Sequence, residues 1–234
     1  MIKPIELVIF DCDGVLVDTE RIAVRVQVTL AAELGWTLTE EDIVRRFIGR
    51  PSADIRNQIV DRLGKETAAL WRERFERRHR EAVDAGLTAV EGLPQALDAI
   101  SLPTCVASNG TPDKIQHNLS RAGLYERFAG RIFSASDVPR GKPDPDLFLY
   151  AAREMGVEPA ACVVVEDSQP GVQAARAAGM RVVGYAGGLT PAERLAEAGA
   201  EIFHEMCELP YLFAAHQEAA HGGGAGCLGS SATR

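Results

Sequence analysis

Short apolar runs that stop abruptly at polar residues recur along the chain. The run 5–10 (IELVIF) ends at Asp11, and similar runs lie at 103–107, 131–134, 161–165 and 180–184, with a weaker one at 200–203. Rich in β-branched and aromatic residues, they predict buried strands that deliver polar groups at their C-terminal ends. Between them lie helical patterns at 94–100, 112–122, 145–155, 170–178 and 191–198, each opening with Pro near its first turn. Several close on glycine, at Gly123, Gly156, Gly179 and Gly199. Pro first and Gly last is the polarity of a helix. This alternation predicts an α/β fold, a Rossmann-like doubly wound parallel sheet covered on both faces, with its ligand site beyond the strand C-termini.

The rhythm breaks between 18 and 86, where no strand pattern is found and successive helices are predicted over 19–34, 39–46, 52–63 and 65–84. The organisation read from the pattern is a core of 1–17 and 87–215 with an inserted all-helical cap domain of 18–86, placed over whatever chemistry occurs at Asp11. The remainder, 216–234, is small and flexible in composition and is read as a disordered tail.

Composition narrows the partners. The 234 residues carry 25 Lys and Arg against 33 Asp and Glu, a formal charge of −8, with no basic block. Such a surface disfavours nucleic acid and anionic membrane. An anionic ligand must then be attracted by a local site or a bound cation. The five cysteines are scattered, never in a C-x-x-C pair, and read as thiols of a reducing cytoplasm. No apolar stretch approaches the length of a membrane span, and no signal-peptide pattern opens the chain. Oligomeric state is not set by any of these features.

Four polar clusters fall at or near the ends of predicted strands, on one edge of the sheet. In D-x-D-G, Asp11 and Asp13 flank Cys12; both carboxylates can face one pocket, one attacking phosphorus while the other handles protons. Two such close acids repel unless a divalent cation is present, and Mg2+ would neutralise Asp11 while leaving Asp13 to protonate a leaving alkoxide. A turn or cap pair is the bland alternative. Glu166 and Asp167 follow the fourth run; as hard oxygen donors they suit the same ion, Asp167 directly and Glu166 behind it or sharing the metal. Ser108 and Asn109, before Gly110 and a Pro-started helix, suit a phosphate oxygen, or serve only as a tight turn. Lys142, one of four lysines against 21 arginines, sits in G-K-P-D-P-D. There it can stabilise charge growing on a phosphoryl group. Cys12 is expected to point away from this chemistry.

In this order FDCDGVLVDTE, ASN, GKPDPDLF and VVVEDSQPGVQAA resemble the four motifs of the haloacid dehalogenase superfamily, over residues 5–205. The helical insertion is similar to the cap of its β-phosphoglucomutase and phosphoglycolate phosphatase subfamily. The resemblance implies Asp11 as nucleophile, Asp13 as general acid then base, Ser108 and Lys142 as phosphate ligands, and Mg2+ held by Asp11, the Asp13 backbone carbonyl and Asp167. It implies a phosphatase for a small phosphorylated metabolite. Asp13 argues against dehalogenation. A sugar-phosphate mutase is the rival, but Ala23 stands where mutase-like members carry a cap histidine. A non-catalytic phosphate-binding protein is the alternative of another class; the presence of Asp11, Asp13, Lys142 and Asp167 together argues against it. The strings SNGTPDKIQHNL and VIFDCDGVLVDTE are further similar to those of bacterial 6-phosphogluconate phosphatases, which favours sugar phosphates or sugar-acid phosphates. Glu20 and Arg50 are the cap residues expected to read the leaving group, Arg50 through a carboxylate or hydroxyl. The run RERFERRHR, 72–80, is expected to be a solvated helix face.

Overall fold

The computed structural model describes residues 3–222, apart from 49 and 51. Six strands, β1 (Leu7–Phe10), β2 (Thr104–Ser108), β3 (Ile132–Ser134), β4 (Cys162–Glu166), β5 (Arg181–Tyr185) and β6 (Glu201–Phe203), form one sheet. Its order is β3-β2-β1-β4-β5-β6, and every neighbouring pair is parallel. This is the Rossmann-like α/β core that the alternation predicts.

Period-two alternation divides the strand side chains between two apolar layers. Val8, Phe10, Val106, Val163 and Val165 enter one layer, whereas Leu7, Ile9, Cys105, Ala107, Cys162 and Val164 enter the other. Both layers exclude water, so β1, β2 and β4 are buried along their whole length. That is why these segments read as continuous apolar runs rather than alternating ones. Phe10 stands level with Val106 on one side and Val165 on the other. One residue further, three strand ends therefore reach the same edge together.

The chain leaves that edge into α1 (Thr19–Glu33), α2 (Glu40–Phe47), α3 (Ser52–Leu63) and α4 (Lys65–Gly86). These helices build a third apolar cluster of their own, in which Trp36 meets Phe47 and Trp71 with ring centroids 6.1 Å apart in each case. Asp18 caps α1 and Thr39 forms a capping box with Asp42 at α2, satisfying backbone donors that a helix start leaves bare. The two connections to the sheet run side by side: Asp18 N donates to Thr88 O, and Val90 N donates to Leu16 O.

The sheet is covered by α5 (Leu93–Ala99), α6 (Pro112–Arg121), α7 (Tyr125–Phe128), α8 (Asp146–Glu154), α9 (Gln169–Ala177), α10 (Ala192–Glu197) and α11 (Leu209–Gly222). The last of these corrects the reading of 216–234 as unstructured over its first part, since 216–222 is helical. The reason is a tertiary contact that composition cannot report. The Gln217 side chain accepts from Ile5 N at 3.2 Å and donates to Ile5 O at 2.7 Å, closing the backbone ahead of β1. Residues 223–234 lie outside the described residues. Among the described residues, no helix is long and apolar enough to cross a membrane.

Candidate active site

Asp11 follows β1 directly, and its backbone N–H donates to Val165 O at 3.0 Å, so the ladder with β4 fixes where the carboxylate begins. Lys142 arrives from the loop before α8 and spends all three ammonium protons inward. Its Nζ lies 2.5 Å from Asp11 Oδ1, 2.6 Å from Glu166 Oε1 and 2.8 Å from the carbonyl of Ala107. The lysine side chain is only 3% exposed. Burial alone would lower its pKa, yet the charges of Asp11 and Glu166 drive it up, so the ammonium is permanent.

Glu166, at the end of β4, is fastened from behind. Its Oε2 accepts from the backbone of Asp167 and Ser168 and from the Ser168 hydroxyl, at 3.1, 2.9 and 2.8 Å. These bonds orient it toward Lys142. Asp167 differs: it is buried, and its Oδ2 has no hydrogen-bond partner. Burial raises its pKa well above the carboxylate range, and the charges of Glu20, Glu166 and Asp11 add to the rise. Asp11 is pushed up to about 7, because burial outweighs the pull of Lys142 and Glu166 adds repulsion.

Asp11, Glu166 and Asp167 each offer an oxygen, and the three atoms lie within 4.8 Å of one another. An unpartnered buried oxygen beside mutually repelling carboxylates is the environment that a hard divalent cation relieves, and the all-oxygen donor set fits it. Gly14, with φ +84°, leaves the space beside Asp167: a Cβ there would overlap the Asp167 carboxylate.

Asp13 is held differently. Thr19 Oγ1 and Asn118 Nδ2 donate to its Oδ1 at 2.7 and 3.1 Å, and Lys114 Nζ donates to its Oδ2 at 2.6 Å. Burial would raise its pKa, but the Lys114 charge and hydrogen bond, with that of Thr19, hold it below the usual carboxylate range. The two aspartates of D-x-D are thus separated electrostatically, Asp11 up and Asp13 down. Cys12 between them points into the apolar layer, 1% exposed, and burial raises its thiol well above its ordinary pKa. That agrees with its expected exclusion from the chemistry.

Ser108 ends β2, buried, with its Oγ accepting from Gly110 N at 3.1 Å and its hydroxyl proton left for another acceptor. Asn109 does something other than expected. Its Oδ1 accepts from Lys142 N at 2.9 Å and its Nδ2 donates to Lys142 O at 3.0 Å. Both ends of the amide grip the Lys142 backbone, so it positions the lysine loop instead of offering itself to phosphate.

Glu20, at the start of α1, reaches the same region. Its pKa is raised to about 7 by burial and by the charges of Asp13 and Asp11, and its Oε2 is buried without a partner. It lines a cavity of about 280 Å³ together with Gly14, Arg21, Tyr185 and Gly188. Arg50 is exposed beyond α2, and its guanidinium makes none of the hydrogen bonds or ion pairs found among the described residues.

The residues that hold Asp13 were missed in the sequence. Lys114 carried the same signal as Lys142, being another of the four lysines, and Asn118 lies four positions later on the same face of α6. The 72–80 run is not solvated throughout either. His79 is partly buried and hydrogen-bonds to the Thr19 backbone, close enough to Lys114 and Asp13 for their charges to act on it.

The haloacid dehalogenase-like hydrolase family model matches residues 5–179, which include all four clusters. The chain belongs to the haloacid dehalogenase-like hydrolase family. Within it, the chain is 39% identical to the 6-phosphogluconate phosphatase of Escherichia coli K12 over 179 residues, covering 76% of this chain and 81% of the relative. A haloacid dehalogenase-like protein from Agrobacterium tumefaciens C58 superposes with a TM-score of 0.83 at 37% identity, over 90% of this chain and 98% of the other. A hydrolase of the same family from Deinococcus radiodurans R1, solved with bound phosphate and sodium, gives 0.80 at 32% identity, over 91% and 96%. The chain is an enzyme, a phosphatase by its family and relatives.

Proposed function

We propose that the chain is a Mg2+-dependent phosphomonoester hydrolase for a small sugar phosphate or sugar-acid phosphate, acting through an aspartyl phosphate on Asp11. The observation that carries the reading is the Lys142 ammonium bound at once to Asp11 and Glu166, with Asp13 two residues from the nucleophile and held apart from it by Lys114, Thr19 and Asn118.

Asp11 supplies the attacking oxygen. The Ser108 hydroxyl proton is free for a phosphoryl oxygen, while Lys142, whose three protons are engaged, acts on the phosphoryl charge as a fixed, buried cation that need not reorganise. Asp11, Asp167 and the Asp13 backbone carbonyl would hold Mg2+, which when bound neutralises charge at the phosphate and at Asp11. Asp13 is ionised while Lys114 holds it. Once a seated substrate displaces that ammonium and Asp13 has taken up a proton from solvent, it delivers that proton to the departing alcohol oxygen, then withdraws one from the water that attacks phosphorus and frees Asp11. Thr19 and Asn118 keep its carboxylate turned to that task.

Phosphate release from sugar phosphates, sugar-acid phosphates and phosphoglycolate, with Mg2+ or with chelator, tests the reading. Release is expected only with the metal, and Asp11→Asn is expected to abolish it; full activity in that variant would reject Asp11 as nucleophile. With β-glucose 1-phosphate, free phosphate is expected to outpace glucose 6-phosphate. The reverse order would make the enzyme a mutase.

A further inference from the structure

Asp13 has one positive charge in contact with it. Lys114 Nζ lies on Asp13 Oδ2, and His79 of α4 is near enough to feel that charge, burial and the Lys114 ammonium holding its imidazole below the ordinary pKa. Asp13 does not need Lys114 for its orientation, because Thr19 and Asn118 already fix Oδ1. Lys114 instead occupies Oδ2, the oxygen left to meet a departing alcohol. When a substrate is seated, that ammonium must give up Oδ2 to the leaving oxygen. Its side chain is 46% exposed on a flexible stem, whereas Lys142 is enclosed at 3%. It can turn toward the leaving group, and in doing so it forfeits a charge-assisted hydrogen bond unless another anion receives it.

We propose that Lys114 selects leaving groups that carry their own carboxylate, receiving that carboxylate as it releases Asp13 to the reacting oxygen. Of the site's cations, Lys142 is committed and Arg21, which lines the cavity beside Glu20, is paired with Asp18, so Lys114 is the one that lies on the Asp13 carboxylate. Asp11, Glu166, Asp167 and Glu20 are acidic, Lys142 is committed to two of them, and the whole chain is at −8. A neutral polyol offers Lys114 only hydroxyls and leaves it competing for Asp13. The substrate class is therefore a sugar-acid phosphate over a neutral sugar phosphate, an inference that rests on the phosphatase reading above and deepens it.

The test compares 6-phosphogluconate with sorbitol 6-phosphate, which differ only in a carboxylate replaced by a hydroxymethyl group. The enzyme is expected to favour the acid in kcat/KM by roughly 10- to 100-fold, the worth of a charge-assisted hydrogen bond. Lys114→Gln is expected to erase that preference, and Lys114→Arg to retain most of it. The same ratio is to be read as Kd in an Asp11→Asn background, where turnover is stopped and a slow variant still reports. Equal losses on both substrates, or a preference that survives Lys114→Gln, would overturn the role of Lys114 while leaving the phosphatase reading intact. No phosphate from any sugar phosphate would instead remove the reading beneath it.

Discussion

Lys142 has no proton to spare: three short hydrogen bonds join it to Asp11, Glu166 and the Ala107 carbonyl. Removing it leaves two buried carboxylates facing each other, so Lys142→Met is expected to destabilise the protein by about 3–5 kcal/mol as well as abolish activity. Urea unfolding checks the first and phosphate release the second. Asp11 gives a pH signature. Its folded pKa of about 7 lies above its ordinary carboxylate value. In metal-free protein the stabilisation linked to its proton is present in full at low pH and is lost as pH rises through about 7. A cation competes with that proton. The rise in Tm on adding Mg2+ should therefore be small at pH 5 and grow through neutrality, and Asp11→Asn should weaken the dependence, leaving the part due to Asp167. A Tm rise independent of pH would place the ion elsewhere.

At the scale of elements, the site depends on how closely helices and turns approach strand ends. Gly171 starts α9 against Glu166, and a Cβ there would fall within the Glu166 carboxylate. Gly171→Ala must push α9 off β4 or swing Glu166 away from Lys142, at about 1–3 kcal/mol for an overpacked site. Gly14 guards Asp167 in the same way and also has φ +84°. Gly14→Ala is expected to weaken Mg2+ binding by roughly 10- to 100-fold, measured calorimetrically, because the support of a ligand is displaced. Unchanged affinity would mean that Asp167 is not a ligand. The helix α6 serves two ends at once: Ile115 and Leu119 face the apolar layer, while Lys114 and Asn118 face Asp13.

At the scale of the molecule, the helical insert has an apolar cluster of its own and is also joined to the sheet layer, with Val83 of α4 buried in the sheet's core and Asp84 paired with His117 and Arg121 of α6. Leu189, from the loop after β5, packs against the insert's apolar cluster, and Arg21 Nη2 donates to Gly187 O at 3.4 Å. Both tryptophans, Trp36 and Trp71, lie in that insert core, so tryptophan fluorescence reports on it alone. Phe47→Ala removes a ring packed on Trp36 and is expected to cost about 3–5 kcal/mol. The loss should move the fluorescence-detected unfolding midpoint further than the midpoint followed by far-UV circular dichroism. Equal displacement would show that insert and sheet unfold as one unit.

The sequence by itself determined the sheet, the helices between β1 and β2, and the polar clusters that follow β1, β2 and β4, with the Lys142 cluster in the loop before α8. Buried parallel strands must be continuously apolar and helices must start and stop, and both leave marks within a few residues. Asp11 and Ser108 were legible for the same reason, each immediately following an apolar run, and Asp167 because it follows the polar end of β4 at Glu166. Tertiary structure alone decided what surrounds them. Lys114 and Asn118 reach Asp13 across 101 and 105 residues. Asn109 turns to the Lys142 backbone 33 residues away, and Gln217 closes on Ile5 across 212. Such contacts depend on how helices pack over the sheet, a sum of many weak apolar contacts that no local spacing encodes. Packing therefore determined whether a polar residue meets substrate, metal or another residue of the chain.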